Sequence, residues 1–162
     1  MPLSGALQRL FRDGARPRCY IASPLGFSDA TRGYYENEYV PALARHVVPV
    51  DPWALTSKAE VLEAERRGTL RTFFLEVARR NARAIAGSQL LIAHLDGQEV
   101  DSGTAVEIGY AVGLGKPALG IRSDLRQAGE PKMTVNLQVE GLIMQSGGFV
   151  ATSLEDLLAA LP

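Results

Sequence analysis

In the segment VDSGTAVEIGYAVGLGK, residues 100–116, the stretch from Ser102 to Gly115 is apolar, small or uncharged except for one carboxylate, Glu107. An unpaired buried carboxylate costs several kcal/mol or takes up a proton, so a lone acid in a buried helix needs a reason. One interpretation is a core glutamate that accepts a hydrogen bond from a hydroxyl or backbone group. We favour a catalytic acid, partly desolvated at the bottom of a cleft. Its expected neighbours on a buried helical face are Gly103, Tyr110, Ala111 and Leu114.

Two further acids, Asp96 and Asp101, precede Glu107 closely in the chain. Asp96 precedes a glycine, as turn-forming aspartates often do, and either Asp101 or Ser102 suits the N-cap of the helix. Three converging carboxylates would repel one another unless a ligand or cation uses them. Because the chain has only two histidines and one cysteine, we predict no metal ion. Paired acids without a metal indicate glycosyl chemistry, in which one carboxylate attacks an anomeric carbon and another handles a proton.

The composition excludes several classes of partner. The formal net charge is −1, which argues against binding to a nucleic acid polymer. The single cysteine, Cys19, cannot form an internal disulfide, and we interpret it as a small core residue of a protein in a reducing compartment. No apolar run approaches the about 20 residues of a membrane helix, and the N-terminus lacks a signal peptide. We therefore expect a cytoplasmic protein with no membrane partner.

Strands and helices are predicted to alternate along the chain. The predicted strands are 18–22, 47–50, 89–95, 116–121 and 141–144. The predicted helices are 29–46, 58–67, 69–86, 100–116 and 153–161, the last capped by Ser153. The loop from Arg122 to Lys132 is predicted to be a solvated surface. This alternation indicates one α/β domain over residues 1–162, with a five-stranded, mostly parallel sheet covered by helices on both faces.

In such a sheet, ligands bind outside the carboxyl ends of the strands, where the strand order reverses. The loops after the first three strands therefore meet at one edge. Phe27 in the first loop and Trp53 in the second are candidates to stack on a base, or else are lid or core aromatics. The first loop and the residues after it also offer a possible small anion site, made by Ser23, Ser28 and Arg32.

Four sequence motifs resemble those of the nucleoside 2-deoxyribosyltransferases, from Tyr20 to about Met144. They are CYIASP, LDG at the end of the third strand, DSGTAVEIGYA, and NLQ at residues 136–138. The third motif is quite specific, and the others support it. The resemblance implies a flavodoxin-like fold and a two-step exchange of bases on 2′-deoxyribose, with no organic cofactor because the enzyme itself carries the sugar.

The resemblance also implies roles for individual residues. Glu107 is expected to attack C1′ and hold the deoxyribosyl group covalently, and the Tyr20 hydroxyl to orient that carboxylate. Asp96 is expected to contact the base and exchange a proton with it. Asp101 is expected to bind the sugar hydroxyls, and we include its neighbours Ser102 and Gly103 among the substrate-binding residues. Asn136 and Gln138 are expected to hold the 5′-hydroxyl in a neighbouring subunit's site, which implies a homo-oligomer; the partners are deoxynucleosides and free nucleobases.

Two alternatives remain open from the sequence. A related branch hydrolyses deoxynucleoside 5′-monophosphates with the same glutamate, and there a serine typically matches Asp101. The charge of Asp101 would repel a phosphate dianion by a few kcal/mol at an effective dielectric near ~20, so we favour a free 5′-hydroxyl. The second alternative is a nucleotide-binding module without catalysis, which gives Glu107 no chemical role.

Overall fold

The computed structural model describes residues 3–162, which form a five-stranded sheet in the order β2-β1-β3-β4-β5. Every neighbouring pair of strands is parallel. This is the flavodoxin-like order, and the strand order reverses between β1 and β3. The predicted α/β fold is therefore confirmed. The strands are β1 (Arg18–Ala22), β2 (Val48–Val50), β3 (Leu90–His94), β4 (Ala118–Ile121) and β5 (Val150–Ala151).

Helices cover both faces of the sheet, because side chains along each strand alternate between two apolar clusters. Cys19 and Ile21 of β1 belong to one cluster with the helical residues Leu7, Leu43 and Leu157. Tyr20 and Ala22 belong to the other cluster, with the helical residues Ile85, Ile108 and Ile143. The helices are α1 (Gly5–Leu10), α2 (Asp29–Tyr34), α3 (Val40–Leu43), α4 (Lys58–Arg66), α5 (Leu70–Ala86), α6 (Ser102–Gly113), α7 (Leu137–Gln145) and α8 (Leu154–Ala160). Three short 3₁₀ segments lie at Arg12–Gly14, Leu25–Phe27 and Pro52–Leu55.

The predicted fifth strand at 141–144 is wrong, because these residues lie inside α7. Asn136 caps this helix by accepting a hydrogen bond from the Gln138 backbone N–H, at 2.9 Å. Val139 and Ile143, four residues apart, then share the buried face. A short apolar run suits a buried helix as well as a strand, and the Asn136 cap favours the helix here. The fifth strand is instead β5, which pairs with β4.

Two other predictions need correction. The helix predicted over 29–46 is α2, a π-helical turn at Tyr35–Tyr39 and α3, which ends at Leu43. The loop from Arg122 to Lys132 is only partly a solvated surface, since Arg122 itself is 4% exposed. By contrast, the predicted Ser153 cap of α8 is confirmed, because the Ser153 hydroxyl accepts from the Asp156 N–H at 3.0 Å.

The helix that carries Glu107 is less buried than its composition predicts. Ile108 and Ala111 of α6 lie in the core, but Val106, Tyr110 and Leu114 are 71%, 42% and 46% exposed. These three residues follow one another at intervals of four, so they form an apolar stripe along the outer side of α6. Gly103 is exposed as well, so the expectation that Gly103, Tyr110 and Leu114 lie on a buried face is wrong, and only that for Ala111 is confirmed.

Candidate active site

Tyr20 and Glu107 meet between β1 and α6. Tyr20 is fully buried in the middle of β1, on the side of the sheet that α6 covers. Its hydroxyl donates a hydrogen bond to Oε1 of Glu107 at 2.5 Å. Glu107 is half-buried, and within residues 3–162 no donor bonds its other oxygen, Oε2, which is also not a buried atom. One carboxylate oxygen is therefore held in place while the other remains accessible.

The surroundings of Glu107 change its acidity. Burial raises the pKa of Glu107 from 4.5 to about 7, the Tyr20 hydrogen bond acts in the opposite direction, and the charge of Asp101 adds to the increase. Burial also raises the pKa of Tyr20 and is the largest cause. The charge of Glu107, its hydrogen bond and the charge of Asp51 raise this pKa further. Tyr20 therefore remains a protonated donor, and Glu107 changes its charge near neutral pH.

Asp101 is both the cap of α6 and a neighbour of Glu107. Its Oδ2 accepts hydrogen bonds from the Thr104 N–H at 2.9 Å and the Thr104 hydroxyl at 3.2 Å. Oδ1 accepts none from the described part of the chain, so it is available to a ligand. A Cβ in place of Gly103 would lie 3.1 Å from Oδ2, a close contact that a small shift of the Asp101 side chain would have to relieve. Ser102 and Gly103 are exposed in the first turn of the helix.

A second carboxylate–tyrosine pair, which the sequence reasoning missed, lies after β2. The Tyr35 hydroxyl donates to Oδ1 of Asp51 at 2.7 Å, and the backbone N–H of Trp53 donates to the same oxygen at 2.9 Å. Asp51 also contributes to the raised pKa of Tyr20, behind burial and Glu107. The available signal was the Asp-Pro pair, since Asp51 caps the 3₁₀ segment that carries Trp53.

The two predicted stacking residues are brought together. The rings of Phe27 and Trp53 lie 4.6 Å apart, edge to face, and both are exposed. Trp53 packs on Gly26, where a Cβ would lie 2.4 Å from the indole ring. These residues form an aromatic wall between the loops that follow β1 and β2, and we use this name for Phe27 and Trp53 below.

Asp96 lies in a different neighbourhood. It accepts hydrogen bonds from Ser123 and Asp124, which follow β4, and its side chain is 25% exposed. No hydrogen bond joins it to Tyr20 or Glu107 among residues 3–162. The structure therefore brings together Tyr20, Glu107 and Asp101, and places Asp96 on the β4 side of them.

The remaining predicted residues are engaged locally. Asn136 and Gln138 are exposed at the start of α7 and bond each other. Ser23 and Ser28 accept from backbone N–H groups of their own segment, at Leu25 and Ala30, and Arg32 donates to the Gly26 carbonyl. The hydrogen bonds of these three side chains are therefore local, and both serine O–H groups can still donate, so the small anion site stays a prediction.

Two cavities lie away from Glu107. One of about 410 Å³ is next to β5 and α8, and one of about 460 Å³ is lined by the residues after β4, including Arg122 and Lys132. Glu107 lines neither of them. Among the described residues, no group of three or more His, Cys, Asp or Glu side chains is placed to hold a metal ion.

A family model described as nucleoside 2-deoxyribosyltransferase matches residues 19–152, which include Tyr20, Asp101 and Glu107. The chain belongs to this family. The match supports a deoxyribosyltransferase-like or N-glycosidase-like function and agrees with the resemblance of the motifs. No curated protein matches the chain. No helix of the described residues has both the length and the apolar character needed to span a bilayer.

Solved structures similar to this deoxyribosyltransferase family member share its fold. A conserved protein from Enterococcus faecalis V583 is 25% identical with a TM-score of 0.65, over 90% of this chain and 97% of that one. A 2-deoxyribosyltransferase from Bacillus psychrosaccharolyticus is 21% identical with a TM-score of 0.59, over 87% and 90%. A Clostridium botulinum CMP N-glycosidase is 17% identical with a TM-score of 0.50, over 88% and 94%.

Proposed function

We propose that the protein transfers 2-deoxyribose between nucleobases through a covalent intermediate on Glu107. The observation that carries this proposal is the Tyr20–Glu107 pair, in which one oxygen is held at 2.5 Å and the other is accessible. A nucleophile needs this combination. A fixed orientation lowers the entropic cost of reaching the reacting geometry, and the accessible oxygen forms the bond.

The first half-reaction replaces one bond to C1′ by another. Oε2 of ionised Glu107 attacks C1′, the C1′–N bond breaks, and its electron pair leaves with the base, which takes up a proton. Burial raises the pKa of Glu107 to about 7, so a large share of the enzyme is ionised at neutral pH. The Tyr20 hydrogen bond favours that ionised form.

The second half-reaction restores the enzyme. A nitrogen of a second base attacks C1′, the C1′–Oε2 bond breaks, and Glu107 leaves as a carboxylate while the incoming base loses a proton. Two displacements retain the configuration at C1′. The scheme needs no organic cofactor, because the covalent intermediate on Glu107 carries the sugar between the two displacements.

Three further groups complete the proposed site. Asp101 binds a sugar hydroxyl through Oδ1, which has no other partner in the described chain. The aromatic wall stacks on the base. Asp96 contacts the base from the end of β3 and exchanges a proton with it, as the family resemblance implies.

We also propose that a second copy of the chain completes the site. The helix α6, which carries the exposed apolar stripe, packs against α7, whose Leu137 and Met144 are each 50% exposed. Asn136 and Gln138 begin the same helix, so covering this surface with a second copy would place them close to a neighbouring subunit. Light scattering after size exclusion tests this point, and a monomeric wild-type protein with full activity would contradict it.

An assay that mixes a deoxynucleoside with a second free base tests the transfer. We expect a new deoxynucleoside to form, and intact mass to show a deoxyribosyl adduct in wild type that is absent from Glu107→Ala. Neither product nor adduct, with base and nucleoside still bound, would favour the non-catalytic nucleotide-binding module.

Hydrolysis of deoxynucleoside 5′-monophosphates is the second candidate, in which water replaces the incoming base. The similarity of fold to a CMP N-glycosidase is the observation in favour of this candidate. The Asp101 carboxylate weighs against it, since its charge opposes a phosphate. Comparing hydrolysis of dGMP with base exchange on deoxyguanosine separates the two, and a preference for the monophosphate would overturn the transferase proposal.

A further inference from the structure

The loop after β4 is hydrogen-bonded to the loop after β3 on both sides of Asp96. Arg122 is 4% exposed, and its Nη1 donates hydrogen bonds to the carbonyls of Leu95 and Gly97, both at 2.7 Å. Its Nη2 donates to the Arg126 carbonyl at 2.8 Å, so the same side chain also bonds the loop to which it belongs. One buried guanidinium therefore fixes the backbone immediately before and after Asp96.

The same loop also holds the carboxylate itself. Oδ1 of Asp96 accepts from the N–H groups of Ser123 and Asp124 at 2.6 and 3.0 Å, and Oδ2 accepts from the Ser123 hydroxyl at 2.5 Å. Nε2 of His94 lies 3.5 Å from Oδ2. In return, Oδ2 of Asp124 accepts from the Gly97 N–H at 3.2 Å.

This arrangement buries a charged side chain, which a simple connection between two loops would not need. Burying a guanidinium is expensive, and among the described residues the hydrogen-bond partners of Arg122 are carbonyl oxygens instead of a carboxylate. The two terminal nitrogens of one planar guanidinium bind three carbonyls and so fix its direction, which a flexible ammonium would not do. Oδ1 already accepts two hydrogen bonds, so Oδ2, which accepts one from the Ser123 hydroxyl, is the oxygen with capacity left for a ligand.

We propose that Arg122 and Ser123 are positioning residues, which hold Oδ2 of Asp96 in one orientation toward the base. The inference rests on the proposed function and deepens it. Arg122 fixes the backbone and Ser123 fixes the carboxylate, and neither touches the reacting atoms. Their effect on catalysis therefore passes through Asp96.

A matched pair of variants isolates the Ser123 hydroxyl. Ser123→Thr keeps it and Ser123→Val replaces it by a methyl group of similar size, at a position that is exposed. We expect Ser123→Val to lower kcat/KM for base release about tenfold, and Ser123→Thr to stay within about twofold of wild type. Leu125→Ser, in the same loop with a fully exposed side chain, is the control and should match wild type.

A double-mutant cycle separates positioning from general loosening of the loop. In an Asp96→Ala background, we expect Thr and Val at position 123 to give the same kcat/KM, because the group they orient is gone. Arg122→Lys and Arg122→Met, each with and without Asp96, test the hydrogen bonds of Arg122 to the backbone on both sides of Asp96. Lysine should recover part of the loss caused by methionine, and an unfolded Arg122→Met would leave the Ser123 pair to decide.

The outcomes distinguish this inference from the proposed function. Wild-type protein that releases no base from any deoxynucleoside or deoxynucleotide overturns the proposed function, and this inference with it. An active wild type in which Ser123→Val equals Ser123→Thr overturns the positioning role alone. So does a loss of equal size with and without Asp96, or an Asp96→Ala enzyme with full activity.

Discussion

The two acids Glu107 and Asp96 lie in regions that treat a carboxylate in opposite ways. Glu107, between β1 and α6, has one side-chain donor, Tyr20, and an accessible second oxygen. Asp96, between the loops after β3 and β4, accepts three hydrogen bonds and is flanked by carbonyls that Arg122 binds. A sparsely bonded carboxylate can form a new bond at little cost, whereas one held by three donors is suited to presenting its remaining acceptor site in a fixed direction.

The largest expected effect is on turnover. Glu107→Gln removes the nucleophile, and we expect base release to fall by roughly 10⁴-fold or more. Asp96→Asn, in the same assay, should lose only about 10- to 100-fold, because it removes assistance to the leaving base and leaves the attacking group intact. Steady-state kinetics on one deoxynucleoside measure both, and equal losses would remove the distinction between the two regions.

Asp101 should decide how the site treats a 5′-phosphate. Asp101→Ser keeps an N-cap side chain for α6 but removes a negative charge from the site. We expect base exchange on deoxyguanosine to fall about tenfold while hydrolysis of dGMP rises relative to it. The ratio of the two rates is the readout, with Asp101→Asn as the neutral control. An unchanged ratio would mean that Asp101 does not face the 5′ end of the substrate.

The single donor to Glu107 should set the pH profile. Because activity needs ionised Glu107, kcat/KM should rise with pH through a midpoint near the pKa of about 7. The Tyr20 hydrogen bond lowers this pKa, so Tyr20→Phe should move the midpoint upward. Tyr35→Phe is the matched control, since that hydroxyl donates to Asp51, and its midpoint should stay in place. A Tyr20→Phe midpoint at or below that of wild type would contradict the assignment.

The smallest expected effect is on stability. Burial raises the pKa of Glu107 from 4.5 to about 7, so between these values the folded protein binds more protons than the unfolded chain. The stability of wild type should therefore decrease as the pH rises through this window. Glu107→Gln should avoid roughly 1–2 kcal/mol of that decrease, a value discounted for partial exposure. Urea unfolding at about pH 5 and about pH 8 measures the difference, and parallel changes in both proteins would contradict it.

Much of the fold and part of the site follow from local patterns in the sequence. The alternation of apolar runs predicts four of the five strands to within about two residues, because strand propensity and turns act over short distances. Glu107 and Asp101 were identified by one contiguous motif, and the Ser153 cap by a spacing of three residues. These features depend on neighbours in the chain, so they are readable there.

The rest required tertiary structure, because it depends on residues distant in sequence. Tyr20 and Glu107 are 87 positions apart, and Asp96 and Ser123 are 27 apart. Nothing near Arg122 in the sequence indicates that a charged residue at the start of a polar loop is buried against two carbonyls. The apolar run at 141–144 could equally be strand or helix, and the pairing of β4 with β5 left it in α7. The sequence by itself thus determined which acids are available, and packing decided which one is left open to react.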